Sequence, residues 1–222
     1  MVVTIDGTSA SGKSTAAKEV SKRLGFVYID TGAMYRAVAL YCIENGIDIR
    51  DRKAVTEASL EVDIRFEFKN DINHIFLNGG EVTDRIRTEE VGSAASTIAT
   101  YNGVRVNLVE KQREMGRKGN VICEGRDIGT IVFKNADVKI YMDADLVVRA
   151  RRRHRELGEI GDLRSIMEAI ERRDKQDKTR DESPLKLPDG AVIIDTTHLS
   201  IEEEVKRVIE AIKQYNERDE RR

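Results

Sequence analysis

The sequence predicts an α/β fold: a five-stranded parallel sheet with helices on both faces, a small antiparallel-sheet insert and a helical lid. Three observations lead there. Short β-branched runs alternate with helical patterns at both ends of the chain, as parallel strands joined by crossover helices require. Residues 62–68, VDIRFEF, break that alternation with apolar and charged residues taking turns, the pattern of an antiparallel strand with one wet face. A glycine-rich loop lies between the first run and the first helical stretch.

The elements follow in order. Residues 2–5 form a buried strand, and 14–24 a helix with Ala16, Ala17, Val20 and Leu24 inward, closed by Gly25. Residues 26–29 are a second strand and 33–44 a helix stopped by Asn45-Gly46. The insert spans about 62–87, with a further strand at 73–77 before Asn-Gly-Gly. Helices are expected at 89–99 and 104–115, strands at 121–123 and 138–142, and helices at 146–157 and 163–177. A strand at 192–194, a helix at 201–215 and a frayed tail over 216–222 complete the chain. Its 222 residues are 40% hydrophobic, which suits a single domain.

Composition excludes several functions. Lys+Arg total 38 against Asp+Glu 40, a net charge of −2, whereas a nucleic-acid binder is basic. Cys42 and Cys123 stand alone and the three histidines are scattered, so neither a disulfide framework nor a zinc site is expected. No run is long enough to span a membrane. These features predict a cytoplasmic protein with neither nucleic acid nor membrane as partner.

GTSASGKST, from Gly7 through Thr8, Ser9, Ala10, Ser11, Gly12, Lys13 and Ser14 to Thr15, has the spacing G-x-x-x-x-G-K-S. Free backbone N–H groups at a helix N-terminus cradle a polyphosphate. Lys13 reaches the β- and γ-phosphates and Ser14 ligates Mg²⁺, so ATP and Mg²⁺ are expected. An Asn-Lys-x-Asp guanine reader is absent.

Arginines mark the rest of the site. RARRRHR (149–155) puts Arg149, Arg152 and Arg153 on one helical face. That face is either a solvated one paired with Glu156 and Glu159, or a lid carrying guanidinium groups onto a transferring phosphoryl group. DTGAMYR (30–36) offers Asp30 or Thr31 as a helix cap and Arg36 as a grip on a second phosphate. EGRDIGT (124–130) follows a buried strand, where open parallel sheets bind ligands; a turn salt bridge is the other reading.

GTSASGKST, DTGAMYR, AAS (94–96), EGRDIGTIVF and RDKQDKTR occur in this order along the chain. Together they resemble bacterial-type cytidylate kinase, a family of P-loop nucleoside monophosphate kinases, over essentially the whole length. The resemblance implies transfer of the γ-phosphoryl group of ATP to CMP and dCMP, by a monomer serving pyrimidine nucleotide metabolism. It implies a core at about 1–30, 100–145 and 185–217, a monophosphate-binding region at about 31–99 and a lid at about 149–180. It assigns Arg36, Arg126 and Arg180 to the acceptor phosphate, Ser96, Arg105 and Asp127 to cytosine and Asp177 to the ribose hydroxyls. Thr31 stands with the acceptor-binding residues, and Lys13, Arg126, Arg149 and Arg153 with the catalytic ones.

The chain departs from the commonest family pattern at three positions. Thr8 stands where proline is frequent, Thr31 where serine is, and Glu124 where aspartate is; Glu124 is left outside the catalytic set. The alternatives are a kinase acting on UMP or AMP, or a nucleotide-switched binding module with no transfer.

Overall fold

The structure, a computed structural model, describes residues 1–69, 72–117 and 119–219. It divides into two compact units: Met1–Phe26 with Val121–Arg222 form unit 1, and Val27–Asn120 form unit 2.

The five-stranded sheet has the order β2-β6-β1-β7-β8, made of β1 (Val2–Gly7), β2 (Val27–Asp30), β6 (Val121–Gly125), β7 (Val138–Asp143) and β8 (Val192–Asp195). β1 is central and pairs in parallel with β6, Asp6 opposite Gly125, and with β7, Gly7 opposite Met142. With sheet on both sides and helices above and below, Val3 and Ile5 lose all exposure. That is why this strand reads as a continuous apolar run.

Helix α1 (Lys13–Leu24) follows the glycine-rich loop and turns Ala16, Ala17 and Val20 inward; Gly25, at φ 69°, ends it. Unit 1 continues with a one-turn π-helix at Ile128–Val132, α6 (Leu146–Glu156) packed on α7 (Leu163–Thr179), and α8 (Ile201–Asp219) packed on α1. The π-turn was not expected. Helix α8 extends through four residues of the expected tail; residues 220–222 lie outside the described ones.

Unit 2 opens on β2 and α2 (Thr31–Glu44), then α3 (Arg52–Glu61). The insert follows as a three-stranded antiparallel sheet: β3 (Ile64–Lys69), β4 (Ile72–Leu77) and the short β5 (Gly80–Glu81). A 3₁₀ turn at Arg85–Arg87 leads to α4 (Glu89–Ile98), which packs on α2, and α5 (Asn102–Gly116), which packs on α3. Helix α3 escaped the sequence reading because its inward side is small: Val55, Ala58 and Ser59. Its start is set by Asp51, which accepts from the backbone N–H groups of Lys53 and Ala54. Cys42 and Cys123 are both buried and unbridged. Among the described residues no helix is long and apolar enough to cross a membrane.

Gly7 lets β1 end against β7. Its φ is 148°, and a Cβ there would lie 1.8 Å from the carbonyl oxygen of Met142. That oxygen belongs to a strand backbone that cannot move aside. Gly7→Ala is therefore expected to cost at least about 3 kcal/mol, read as the shift in the urea unfolding midpoint; a change under about 1 kcal/mol refutes the contact.

Candidate active site

The phosphate loop leaves the central strand and enters α1 through Gly12, at φ 94° with no side-chain cap. The first N–H groups of α1 are thus left to whatever lies before them, the arrangement that binds anions. Five hydrogen bonds brace the loop. Thr8 Oγ1 donates to Asp143 Oδ1 at 2.5 Å, a bond that a proline at this position could not make. Ser11 Oγ donates to the Thr8 carbonyl at 3.0 Å, and Thr196 Oγ1 to the Ser11 carbonyl at 2.9 Å. The Ser9 N–H donates to Asp174 Oδ1 at 3.0 Å, while Arg149 donates to the Ser9 carbonyl at 3.0 Å. Lys13 curls over the same loop, Nζ donating to the Thr8 carbonyl at 2.5 Å. The buried Glu204 packs against Gly12, where a Cβ would meet its carboxylate at 2.5 Å.

The three arginines placed on one helical face separate. Arg149 points inward and pairs with Asp174 at 2.5 Å, both side chains 9% exposed. Arg152 donates to Thr196 and to the buried Glu204, the latter at 2.7 Å. Arg153 is exposed and pairs with Glu156 at 3.1 Å. Spacing placed them together; the packing of α6 against α7 and the loop decides which turns in.

Beyond β6 lies a second charged set. Arg126 Nε donates to Asp177 Oδ2 at 2.8 Å. Arg180 lies 3.6 Å from Asp177 and 3.5 Å from Asp127, with 7% of its side chain exposed. Burial opposes the charge on Asp177, but Arg126, Arg173 and Arg180 outweigh it and hold the carboxyl below the usual carboxylate range. Burial likewise opposes the Arg126 charge, and Asp177, with help from Glu124 and Asp174, keeps it firmly protonated. Lys13 fares differently: burial first, and then the Arg126 charge, push it down to about 7.

Two carboxylates on the sheet were not picked out as functional in the sequence. Ser14 Oγ donates to Glu124 Oε1 at 2.6 Å, so the residue left outside the catalytic set touches the expected metal ligand. Its signal was position, at the carboxyl end of the strand beside β1. Asp6 is fully buried and accepts from the N–H groups of Ile128 and Gly129, both at 2.7 Å. Burial pushes its carboxyl up to about 6, against the pull of those two hydrogen bonds. Among the described residues no cluster of three or more His, Cys, Asp or Glu suits a metal ion. The oxygen donors Ser14 and Glu124 fit Mg²⁺, which keeps several waters and takes its remaining ligands from phosphate.

Unit 2 holds the remaining candidates. Asp30, not Thr31, caps α2, accepting from the Ala33 N–H at 2.8 Å; its other oxygen pairs with Arg36 at 3.1 Å. Arg36 Nε is buried without a partner among the described residues, a donor position open to an anion. Thr31 is buried at the first turn of α2. Arg105, on α5, is 3% exposed, donates to the Ala99 carbonyl at 3.1 Å and lies 5.9 Å from the Tyr35 ring. Ser96 lies half-buried on α4, a neighbour of α2.

Residues 3–214 match the cytidylate kinase family model. The chain is 41% identical to a cytidylate kinase of Bacillus subtilis (strain 168), covering 96% of each. It is 44% identical to one of Bacillus cereus (strain ATCC 10987 / NRS 248), covering 95% of each, and 42% identical to one of Pediococcus pentosaceus, covering 97% of each. Among solved structures, a gluconokinase from Sinorhizobium meliloti 1021 matches with a TM-score of 0.53 at 13% identity, covering 98% of this chain and 94% of that one. That likeness speaks for the fold alone.

The pair between Arg149 and Asp174 generates a stability test. Removing one partner leaves a buried charge without its counterion. Asp174→Leu is expected to cost about 3–5 kcal/mol, and the double change Arg149→Met, Asp174→Leu less than that single one. Chemical denaturation of wild type, Arg149→Met, Asp174→Leu and the double variant decides; a double variant as unstable as the sum of its singles rejects the pairing.

Proposed function

This chain belongs to the cytidylate kinase family, and from that membership we infer that it transfers the γ-phosphoryl group of ATP to CMP and dCMP, giving ADP and CDP or dCDP. One feature of the site supports transfer between two bound phosphates above all: two cations come from separate segments of unit 1, Lys13 buried at the start of α1 and Arg126 just after β6. Bound phosphates would neutralise both. In this reading, Lys13 and the loop N–H groups take the donor phosphates, and Arg126 faces the acceptor.

The acceptor's own phosphate oxygen is the nucleophile, and it is ionised at neutral pH. Catalysis is therefore positioning and charge stabilisation, with no covalent intermediate. In this proposal Arg36, Arg126 and Arg180 align the acceptor phosphate and Thr31 lies beside it. Asp177 binds the ribose hydroxyls, and Ser96, Arg105 and Asp127 read cytosine. Gly7 through Thr15 hold ATP, while Arg149 and Arg153 belong to a lid at about 149–180 that excludes water. Ser14, backed by Glu124, would hold Mg²⁺, which when bound draws charge from the transferring group. The ion pairs within unit 1 are then provisional partners. Arg126 and Arg180 keep their charge on Asp177 and Asp127 and are released to phosphate as those carboxylates turn to nucleoside. The protein acts in the cytoplasm as a monomer on free nucleotides.

Cytosine offers an amine at N4 where uracil has a carbonyl. Against Asp127 the carbonyl leaves a buried acceptor facing an acceptor, at a cost of about 1–3 kcal/mol. An ADP-release assay with ATP·Mg²⁺ against CMP, dCMP, UMP and AMP is expected to favour CMP over UMP by about 10–100-fold. Arg126→Ala is expected to cut turnover at least about 100-fold. Equal use of UMP removes Asp127 as reader. Slow ATP hydrolysis indifferent to every acceptor supports a nucleotide-switched module instead.

Lys13 gives a proton-linked test. With its pKa near 7, it is mostly neutral at pH 8 in the ligand-free protein. Phosphates beside it raise that pKa, so nucleotide binding at pH 8 takes up about one proton. Titration calorimetry of a non-hydrolysable ATP analogue in buffers of different ionisation enthalpy reads this uptake. Uptake near zero in the wild type, or unchanged in Lys13→Met, refutes the assignment.

A further inference from the structure

We propose that Asp6 is a positioning residue for base selection: by capping the turn after Asp127 from the central strand, it leaves the Asp127 carboxylate for the acceptor nucleotide. The proposal rests on the reading of Asp127 as a base contact.

An aspartate immediately before a helical turn ordinarily spends its carboxylate on that turn's first N–H groups. Asp127 stands at that position before Ile128–Val132, with φ −143° and ψ 27°, and makes no side-chain cap. The cap comes from 122 residues earlier in the chain. Both oxygens of Asp6 are used, one accepting from Ile128 N–H and the other from Gly129 N–H, each at 2.7 Å. The Asp127 carboxylate lies instead 3.5 Å from Arg180. The turn is also seated tightly on β1: a Cβ at Gly129 would lie 2.9 Å from Thr4 Oγ1 and 3.0 Å from Pro188. A turn held this closely keeps Arg126 and Asp127 in register with the strand that launches the phosphate loop. Burying a carboxylate costs stability, and this one has the two backbone N–H groups to compensate it.

Without the Asp6 cap, two buried N–H groups need a new acceptor, and Asp127, immediately before the turn, stands at the position that ordinarily supplies one. Its recruitment takes it from the base. The predicted signature is loss of selectivity with ATP binding intact.

Asp6→Asn keeps the shape and one acceptor oxygen while setting an amide against the other N–H. Kinetics with CMP and UMP, and direct binding of a non-hydrolysable ATP analogue, are measured for wild type, Asp6→Asn, Asp127→Asn and the double variant. Asp6→Asn is expected to raise KM for CMP about tenfold and lower the CMP-to-UMP preference about as much, with analogue affinity within about twofold of wild type. On the Asp127→Asn background it changes selectivity no further, since Asp6 acts through Asp127. An Asp6→Asn protein that loses ATP affinity and turnover together at unchanged CMP-to-UMP preference overturns the proposal. Asp127→Asn with unchanged selectivity sinks the underlying reading separately. Hydrogen exchange in the wild type covers the case in which Asp6→Asn does not fold. The Ile128 and Gly129 amides are expected to be protected, and further slowed by CMP but not by the ATP analogue alone. Exchange at the rate of an exposed loop, or indifference to CMP, overturns the proposal.

Discussion

Cations withdrawn from water beside the phosphate loop and after β6 are the constraint on which unit 1 depends. Lys13, Arg126, Arg149 and Arg180 are each largely shut off from water, and water is the usual remedy for their charge. The fold answers with carboxylates from other segments: Asp177 for Arg126, Asp174 for Arg149, Asp127 for Arg180. Lys13 is held by a carbonyl and a hydroxyl of its own loop, and burial drives it toward neutrality. A site built to stabilise a spreading negative charge has to be arranged beforehand. The acidic partners make such an arrangement tolerable in the absence of nucleotide.

The braces around the phosphate loop follow the same logic. A loop that offers backbone N–H groups to phosphate cannot satisfy them internally, so its shape has to come from side chains behind it. Thr8, Ser9 and Ser11 are each tied to a residue more than 130 positions away: Asp143, Asp174 and Thr196. Arg152 and Glu204 support Thr196 and Gly12 in turn. The phosphate loop and helices α6 and α7 thus share one network. A change in α6 or α7 is felt in the loop without touching a ligand.

Much of this was legible in the sequence. β-branched runs, the spacing of Gly7 and Gly12 and the alternation at 62–68 report local preferences that the fold keeps. Where the sequence reading stopped, the cause is also physical. Helix α3 buries small residues, so its apolar stripe is faint. Arg149 and Arg153 lie one turn apart, and only the tertiary neighbours Asp174 and Glu156 tell the inward residue from the outward one. Asp6 and Glu124 take their roles from parallel-strand register. It sets Ile5 beside Glu124 and Asp6 beside Gly125, and no local pattern carries it.

Register also explains how Glu124 and Thr8, two positions at which the sequence reading expected a departure from the family pattern, fit the fold. Glu124 has one methylene more than aspartate, and from its place on β6 that length brings the carboxylate to 2.6 Å from the Ser14 hydroxyl. Thr8 forgoes the fixed φ of proline and replaces that constraint with a hydrogen bond to Asp143, on the strand at the other side of β1. In both cases the loop is held from a neighbouring strand rather than from within. The sheet is the rigid body and the loop hangs from it. A kinase cradle of this kind tolerates substitution where a flanking strand, or one of the helices that brace the loop, supplies the missing contact.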